Sequence, residues 1–280
     1  MPTIAVTGAT GNLGSRVARR VSDAEIAQRL VVRDPTRLPP LAGAEIARAE
    51  FADADAVRTA LGGIETVLMV SASESADRVA QHLTFVDAAV AAGVRHLVYT
   101  SFFGASPHAT FTLARDHWAT EEHIRSSGVA FTFLRDNMYA DFLKYLVGED
   151  GVIRGPAGDG RAAFVTQDDI ADAAVAVLLG PEAHAGATYD LTGPSSLTLT
   201  EVAALISATT GREVRYHNET LEEAYASRAS YGAPDWQLDA WVSTYTAIAA
   251  GELDGVSSAI LDLTGHPATS VADLLASSAA

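Results

Sequence analysis

Apolar residues follow two periods along this chain, and the alternation between them organises its first half. Short runs of β-branched and aliphatic residues, each bounded by turn formers, predict strands at 3–7, 29–33, 45–49, 66–70, 96–101 and 130–134. Between them, apolar positions recur at three- and four-residue steps and predict helices over 13–22, 55–61, 76–92 and 112–127. Val79, Leu83, Val86 and Val90 form one such stripe. Strand and helix in alternation build a parallel sheet with helices on both faces, and right-handed crossovers make it doubly wound.

Beyond residue 148 the rhythm breaks. The stretch 148–160, rich in glycine and acidic residues, reads as an irregular crossing. Residues 163–166 have the composition of a strand; a helix follows with Asp168 suited to its N-cap, and Gly180-Pro181 stops it. The stretch 188–191 reads as a strand returning to the sheet. A helix from Leu199 ends at Gly211, Val214-Arg215-Tyr216 is a short strand, and 219–230, 235–250 and 270–277 are helical. The expected fold class is α/β, a doubly wound parallel sheet with a small, partly helical C-terminal lobe.

The first strand runs directly into Gly8-Ala9-Thr10-Gly11-Asn12-Leu13-Gly14 and a helix. That order builds an anion site, because backbone N–H groups and the positive end of the helix dipole face one point. Gly8 permits the tight turn, Gly11 lets the backbone approach a pyrophosphate, and Gly14 lets the helix pack against the strand. A dinucleotide along Gly8, Thr10, Gly11, Asn12 and Leu13 is the expectation; an ordinary strand–helix turn is the alternative. After the second strand, Arg33 precedes Asp34. An arginine here favours the 2′-phosphate of NADPH and an acid favours NADH, so NADPH is expected, with NADH as the alternative. A solvated Arg33–Asp34 surface pair is the bland reading. Asp53 could accept from the adenine amino group or cap the next helix. Ser71, Ala72 and Ser73 are small enough for close approach to the cofactor ribose, or form a plain polar loop.

Composition narrows the partners. The formal net charge is −16, which opposes nucleic-acid binding. No apolar run reaches the roughly 18 residues of a membrane span, and the N-terminus has no signal-peptide pattern, so a cytoplasmic protein is expected. Cysteine is absent and the eight histidines are scattered, so no metal site is expected.

The stretches Thr7–Gly14, Val32-Arg33-Asp34-Pro35, Tyr99-Thr100-Ser101, Thr120-Glu121 with Leu134-Arg135, Gly155–Gly160 and Gly265-His266-Pro267-Ala268-Thr269 span nearly the whole chain. In that order they resemble the NmrA-like group of atypical short-chain dehydrogenase/reductases. Within it the chain is similar to the bacterial NAD(P)H:quinone oxidoreductases of the second type, related to triphenylmethane reductase. The resemblance implies a Rossmann domain over 1–135, completed by 163–192, with 136–162 and 193–280 forming a substrate-covering lobe. It also implies NADPH and a quinone over the nicotinamide. One segment departs: Arg135-Asp136-Asn137-Met138-Tyr139 stands where those reductases tend to carry Arg-Asn-Gly-Trp-Tyr. Those side chains should sit near the substrate.

Most short-chain reductases place a lysine four residues after a catalytic tyrosine, which lowers the phenol pKa. The single lysine here is Lys144, and position 140 is alanine, so the pair cannot form. A quinone tolerates that loss, because its two-electron reduction gives a delocalised anion that takes a proton from water. Positioning ring against ring then does most of the catalysis. Candidate pocket residues are Phe102, Phe103, Trp118, Asn137, Met138 and Tyr139, although the phenylalanines and Trp118 also suit core packing. His117 could donate a proton or hydrogen bond to the substrate, or be a surface or capping histidine. Tyr99 and Ser101, read as lying at a strand end, could touch substrate. The carboxylates Asp168, Asp169, Glu121 and Glu122 read as caps and solvated helix faces. Besides a quinone reductase, the sequence allows a dinucleotide-binding redox sensor without turnover, or a biosynthetic tailoring reductase or isomerase. A homodimer is compatible with all three.

Overall fold

The computed structural model describes residues 2–38 and 40–279. In the first half, β1 (Ile4–Thr7), α1 (Asn12–Asp23), β2 (Gln28–Val32), β3 (Ala44–Arg48), α2 (Ala54–Ala60), β4 (Thr66–Met69), α3 (Arg78–Ala91), β5 (His96–Phe102), α4 (Thr112–Ser127) and β6 (Ala130–Asp136) follow the hydrophobic periods. The second half supplies β7 (Val152–Gly155), β8 (Arg161–Ala162), α5 (Gln167–Leu179), β9 (Thr188–Leu191), β10 (Leu197–Thr198) and α6 (Leu199–Thr210). It ends with β11 (Arg215–Asn218), α7 (Leu221–Arg228), α8 (Asp235–Ala249), α9 (Ala259–Thr264) and α10 (Val271–Ala279).

Seven strands form one sheet in the order β3-β2-β1-β4-β5-β6-β9. The pairs β1–β2, β1–β4, β2–β3 and β4–β5 are all parallel. Strand order reverses between β1 and β4, so their carboxyl ends make the switch point at which ligands bind in such sheets. Every residue of β1 and β4 is buried, as continuous apolar runs covered on both faces must be. Ala5, Val67, Met69, Leu97 and Phe133 of the sheet pack with Val57 of α2 and with Phe85, Val86 and Ala89 of α3. Phe85, with no exposed area, contributes about 2 kcal/mol by this burial.

Helix α1 buries Leu13, Val17, Ala18 and Val21 and packs beside α5. Asp168 does not cap α5. It lies in the first turn and, with Asp172, holds Arg20 at 2.8 and 2.6 Å, joining the two helices.

Contacts group the chain into two units. The first comprises Met1–Phe102, Asp116–Arg135 and Gln167–Tyr189, and the second Phe103–Arg115, Asp136–Thr166 and Asp190–Ala280. Thus 103–115, 163–166 and 190–192, expected with the dinucleotide-binding part, group with the other. The second unit contains β7 paired parallel with β11, and β8 paired antiparallel with β10. Helix α6 starts in a capping box: Thr198 Oγ1 accepts from Glu201 N at 3.1 Å, and Thr198 N donates to the Glu201 carboxylate at 2.8 Å. It ends on Gly211 at φ +69°.

Three expectations of the second half need correction. The 148–160 crossing contains a strand, β7, too short to show a period. Its partner β11 extends to Asn218, beyond the expected 214–216. Residues 163–166 are no strand: Val165 N donates to Met138 O at 3.0 Å and Ala140 N to Val165 O at 2.8 Å, making one isolated bridge. Among the described residues, no helix is long and apolar enough to cross a membrane.

Candidate active site

The β1–α1 turn is shaped by close approach. Gly8 adopts φ +66°, and Gly11 N donates back to Gly8 O at 2.8 Å. A Cβ on Gly14 would lie 2.3 Å from Gly8 O and 2.8 Å from Thr7 O, so only glycine lets α1 sit this close to β1. Gly11 is the N-cap of α1; it supplies no side-chain acceptor, and the first helical turn holds no acid. The leading N–H groups of α1 are therefore left for an anion, and Gly11 and Asn12 are exposed.

Beside this turn, the segment after β4 is tied down by side chains from three elements. Val70 N donates to Thr7 Oγ1, Ser71 N to Thr100 Oγ1 and Ala72 N to His82 Nε2, each at 2.9 Å. Arg78 Nε donates to Ala72 O at 2.9 Å. Since His82 Nε2 accepts, the proton sits on Nδ1, which faces Thr120 Oγ1 at 2.9 Å. Burial, with help from Arg78, lowers the His82 pKa to about 3, so the ring is neutral.

Tyr99 and His117 belong to the same buried network. Tyr99 lies within β5, not at its end, and is fully buried; its hydroxyl meets His117 Nδ1 at 2.9 Å. Arg78 donates to His117 Nε2 at 3.0 Å. Burial first, and Arg78 next, push the His117 pKa well below its ordinary value. His117 is thus neither surface nor capping, both its ring nitrogens are engaged, and it has no proton to give a substrate. Burial raises the Tyr99 pKa, leaving a neutral phenol inside the sheet. Ser101, also buried, donates to Glu121 Oε1 at 2.5 Å. Glu121 is not on a solvated face: it has no exposed area and pairs with Arg135 at 2.6 Å and Arg125 at 3.1 Å. Asp169 is likewise buried.

On the adenosine side, Arg33 and Asp34 are both exposed but do not pair with each other. Asp34 caps the short 3-10 turn 35–37, accepting from Thr36 N at 3.0 Å and Thr36 Oγ1 at 2.7 Å. The Thr36 hydroxyl, then its N–H, hold the Asp34 carboxyl below the usual carboxylate range. Asp53 caps α2 through Ala56 N at 3.0 Å.

The substrate candidates divide. Phe102 is half-buried, its ring 6.1 Å from that of His117. Trp118 lies under the Arg125 guanidinium at 5.6 Å, a packing role. In the second unit, Phe103 is held against Gly255, where a Cβ would come within 3.0 Å of its ring. Asn137 is structural: it is fully buried, its amide donates to Leu253 O at 3.1 Å, and its carbonyl accepts from Met138 N at 2.7 Å. Met138 lines a cavity of about 660 Å³ in this unit, together with Phe164, Tyr231, Trp241 and Tyr245. Tyr139 is half-buried, with its hydroxyl 2.9 Å from Asp136 Oδ2.

The model of the NmrA-like family matches residues 1–234. The chain belongs to the NmrA-like family. Two of its relatives are Quinone oxidoreductase 2 of Escherichia coli K12, 36% identical with 96% of each chain covered, and the NAD(P)H azoreductase of Xenophilus azovorans, 32% identical with 99% of this chain and 98% of the relative covered. Citrobacter sp. triphenylmethane reductase, solved in complex with NADP(H), superposes with a TM-score of 0.87 at 30% identity over 99% of this chain and 100% of that one.

In this NmrA-like chain the residues that sequence reasoning passed over are His82 and Arg78. Neither stands in a motif. Arg78 and His82 lie one helical turn apart at the start of α3, facing the segment that follows β4. A buried arginine and histidine on one face of an otherwise apolar stripe were the available signal.

Proposed function

We propose that this protein is an NADPH-dependent oxidoreductase that passes a hydride directly to a quinone or a similar electron-poor conjugated acceptor. The observation that carries the reading is the uncapped, acid-free N-terminus of α1 behind a glycine turn at the sheet's switch point. Gly8, Thr10, Gly11, Asn12 and Leu13 line the pyrophosphate. Arg33 takes the 2′-phosphate, while Asp34 Oδ1 is held by Thr36 in capping the 35–37 turn. Ser71, Ala72 and Ser73 approach the cofactor ribose on a backbone fixed by Thr100, His82 and Arg78. Asp53 keeps its capping role and offers its remaining acceptor capacity to the adenine.

The bound nicotinamide supplies the hydride; the protein supplies alignment. No Tyr–Lys pair is present to protonate a ketone, which favours acceptors whose reduced anion is delocalised. The names of the quinone, azo-dye and triphenylmethane reductases describe acceptors of that electronic kind. Phe102, Phe103, Met138 and Tyr139 remain acceptor-contact residues in this reading; Tyr99, His117, Ser101, Trp118 and Asn137 do not.

The test is loss of NADPH absorbance with a panel of benzoquinones and naphthoquinones, with NADH run in parallel. Multiple turnovers, faster with NADPH, are expected. Tight NADPH binding with no turnover on any acceptor would favour a dinucleotide sensor instead. Replacing Arg33 by Ala is expected to raise the NADPH KM by about tenfold or more, equivalent to about 1.4 kcal/mol. The NADH KM should stay nearly constant, and equal weakening of both would remove the 2′-phosphate assignment.

A further inference from the structure

The cavity that Met138 borders lies wholly within the second unit, and much of its wall is aromatic. Trp241 and Tyr245 stand four residues apart on α8 and so share a face. Tyr245 is held by two neighbours: a Cβ on Gly155 would lie 2.2 Å from its ring, and the Arg228 guanidinium lies over that ring at 5.0 Å. Tyr231 ends the 3-10 turn Ala229–Tyr231, and its ring meets that of Trp241 edge-on at 5.9 Å. Tyr145 and Tyr231 are each 72% exposed, more than any other large hydrophobic side chain among the described residues, and both border this cavity. Folding gains little from a ring left in water. Two such rings at one concave, apolar site are what a ligand site presents.

The charges around the cavity narrow the ligand. Among the described residues, the charged side chains that border it are Arg154 and Arg228, and each already has a carboxylate. Arg154 Nη2 pairs with Asp150 at 2.6 Å, and Arg228 Nη1 with Glu219 at 2.9 Å. Arg228 also donates to Ala224 O, Ser227 Oγ and Arg154 O. Burial raises the Tyr245 pKa, which leaves a neutral phenol. An anion would have to displace Asp150 or Glu219, in a chain of formal net charge −16. A cation would find no carboxylate on the wall to hold it. We propose that this cavity binds an uncharged, flat aromatic molecule of two or more rings, against Tyr145 and Tyr231 at its mouth and Trp241 and Tyr245 within. Its volume of about 660 Å³ lies in the range of small-molecule sites and is well beyond the size of a single ring. Binding here needs neither a nicotinamide nor turnover, so the inference stands apart from the reductase reading.

Two fluorescent probes test it on the full chain without NADPH. N-phenyl-1-naphthylamine is uncharged; 8-anilinonaphthalene-1-sulfonate is the same ring system carrying a sulfonate. The expected result is saturable binding of one N-phenyl-1-naphthylamine per chain, with the sulfonate weaker by about tenfold or more because its charge is left unpaired. Tyr231→Ala and Tyr145→Ala, both at exposed positions, should each weaken the uncharged probe by about fivefold, the size of one aromatic contact. Leu261→Ala removes an exposed apolar side chain that does not border the cavity and should leave the affinity unchanged. No saturable binding, equal or tighter binding of the sulfonate, wild-type affinity in both tyrosine variants, or an equal loss in Leu261→Ala overturns the site. None of these outcomes bears on NADPH oxidation, which is assayed separately on the same preparation.

Discussion

His82 and Asp136 are buried titratable groups whose effects on stability run in opposite directions with pH. His82 accepts from Ala72 N through Nε2, and burial lowers its pKa to about 3. The folded state thus binds fewer protons than the unfolded chain below the ordinary histidine pKa. Its stabilisation is complete above about pH 6.5 and is lost as pH falls toward the folded value, at up to about 1.4 kcal/mol per pH unit. Replacing His82 by Gln keeps an acceptor for Ala72 N and removes the proton. The variant's melting temperature should therefore fall less than that of wild type between about pH 6.5 and about pH 4.5; identical slopes would contradict the neutral buried ring. Asp136 has the opposite sign. Burial raises its folded pKa, so its contribution is fullest in acid and falls as pH rises above the ordinary carboxylate value. Asp136→Asn should raise the melting temperature at neutral pH and lose that gain toward about pH 4. The burial of neither residue is legible in the sequence, because a polar side chain on the buried face of a helix or at a strand end carries no local mark of its surroundings.

The β1–α1 turn was legible because each of its glycines answers a separate steric demand, and those demands make separable predictions. A Cβ at Gly14 would fall 2.3 Å from a backbone oxygen that cannot swing away. Gly14→Ala should destabilise the fold by about 1–3 kcal/mol and weaken NADPH together with it. At Gly11 the nearest atom to a new Cβ is 3.3 Å away and φ is −96°. Gly11→Ala should leave thermal stability nearly unchanged yet weaken NADPH by about tenfold or more, because the methyl group occupies the phosphate's approach. Calorimetric melting and NADPH titration of the two variants read the difference; a large stability loss in Gly11→Ala would refute this division of labour. Elements that went unread share a physical cause. Strands β7 and β11 have four residues each and α9 has six, so none completes the two or three periods that make a pattern visible. Glu121 was misread for a related reason: charge suggests solvent, but a buried acid flanked by Arg125 and Arg135 is stable inside.

At the scale of the whole molecule, the sheet was readable because parallel strands need crossovers and the crossovers carry helical periods, whereas the division into units was not, because it cuts through elements. The chain passes between the two units five times, and both β6 and β9 are shared across the boundary. A unit whose strands continue into its neighbour cannot melt without fraying it, so unfolding is expected to be a single transition despite the two-unit contact pattern. NADPH provides the test. At a free concentration about one hundred times its Kd it should stabilise the folded state by about 2.7 kcal/mol. Unfolding entropy of about 2.1 cal/mol/K per residue over 280 residues turns this into a rise of about 5 °C. Were the first unit to melt alone, its roughly halved entropy would give nearly twice that shift, and the other transition would stay where it was. Calorimetry with and without NADPH separates the cases. One peak moving by about 5 °C supports cooperative unfolding; a peak that splits as NADPH is added contradicts it.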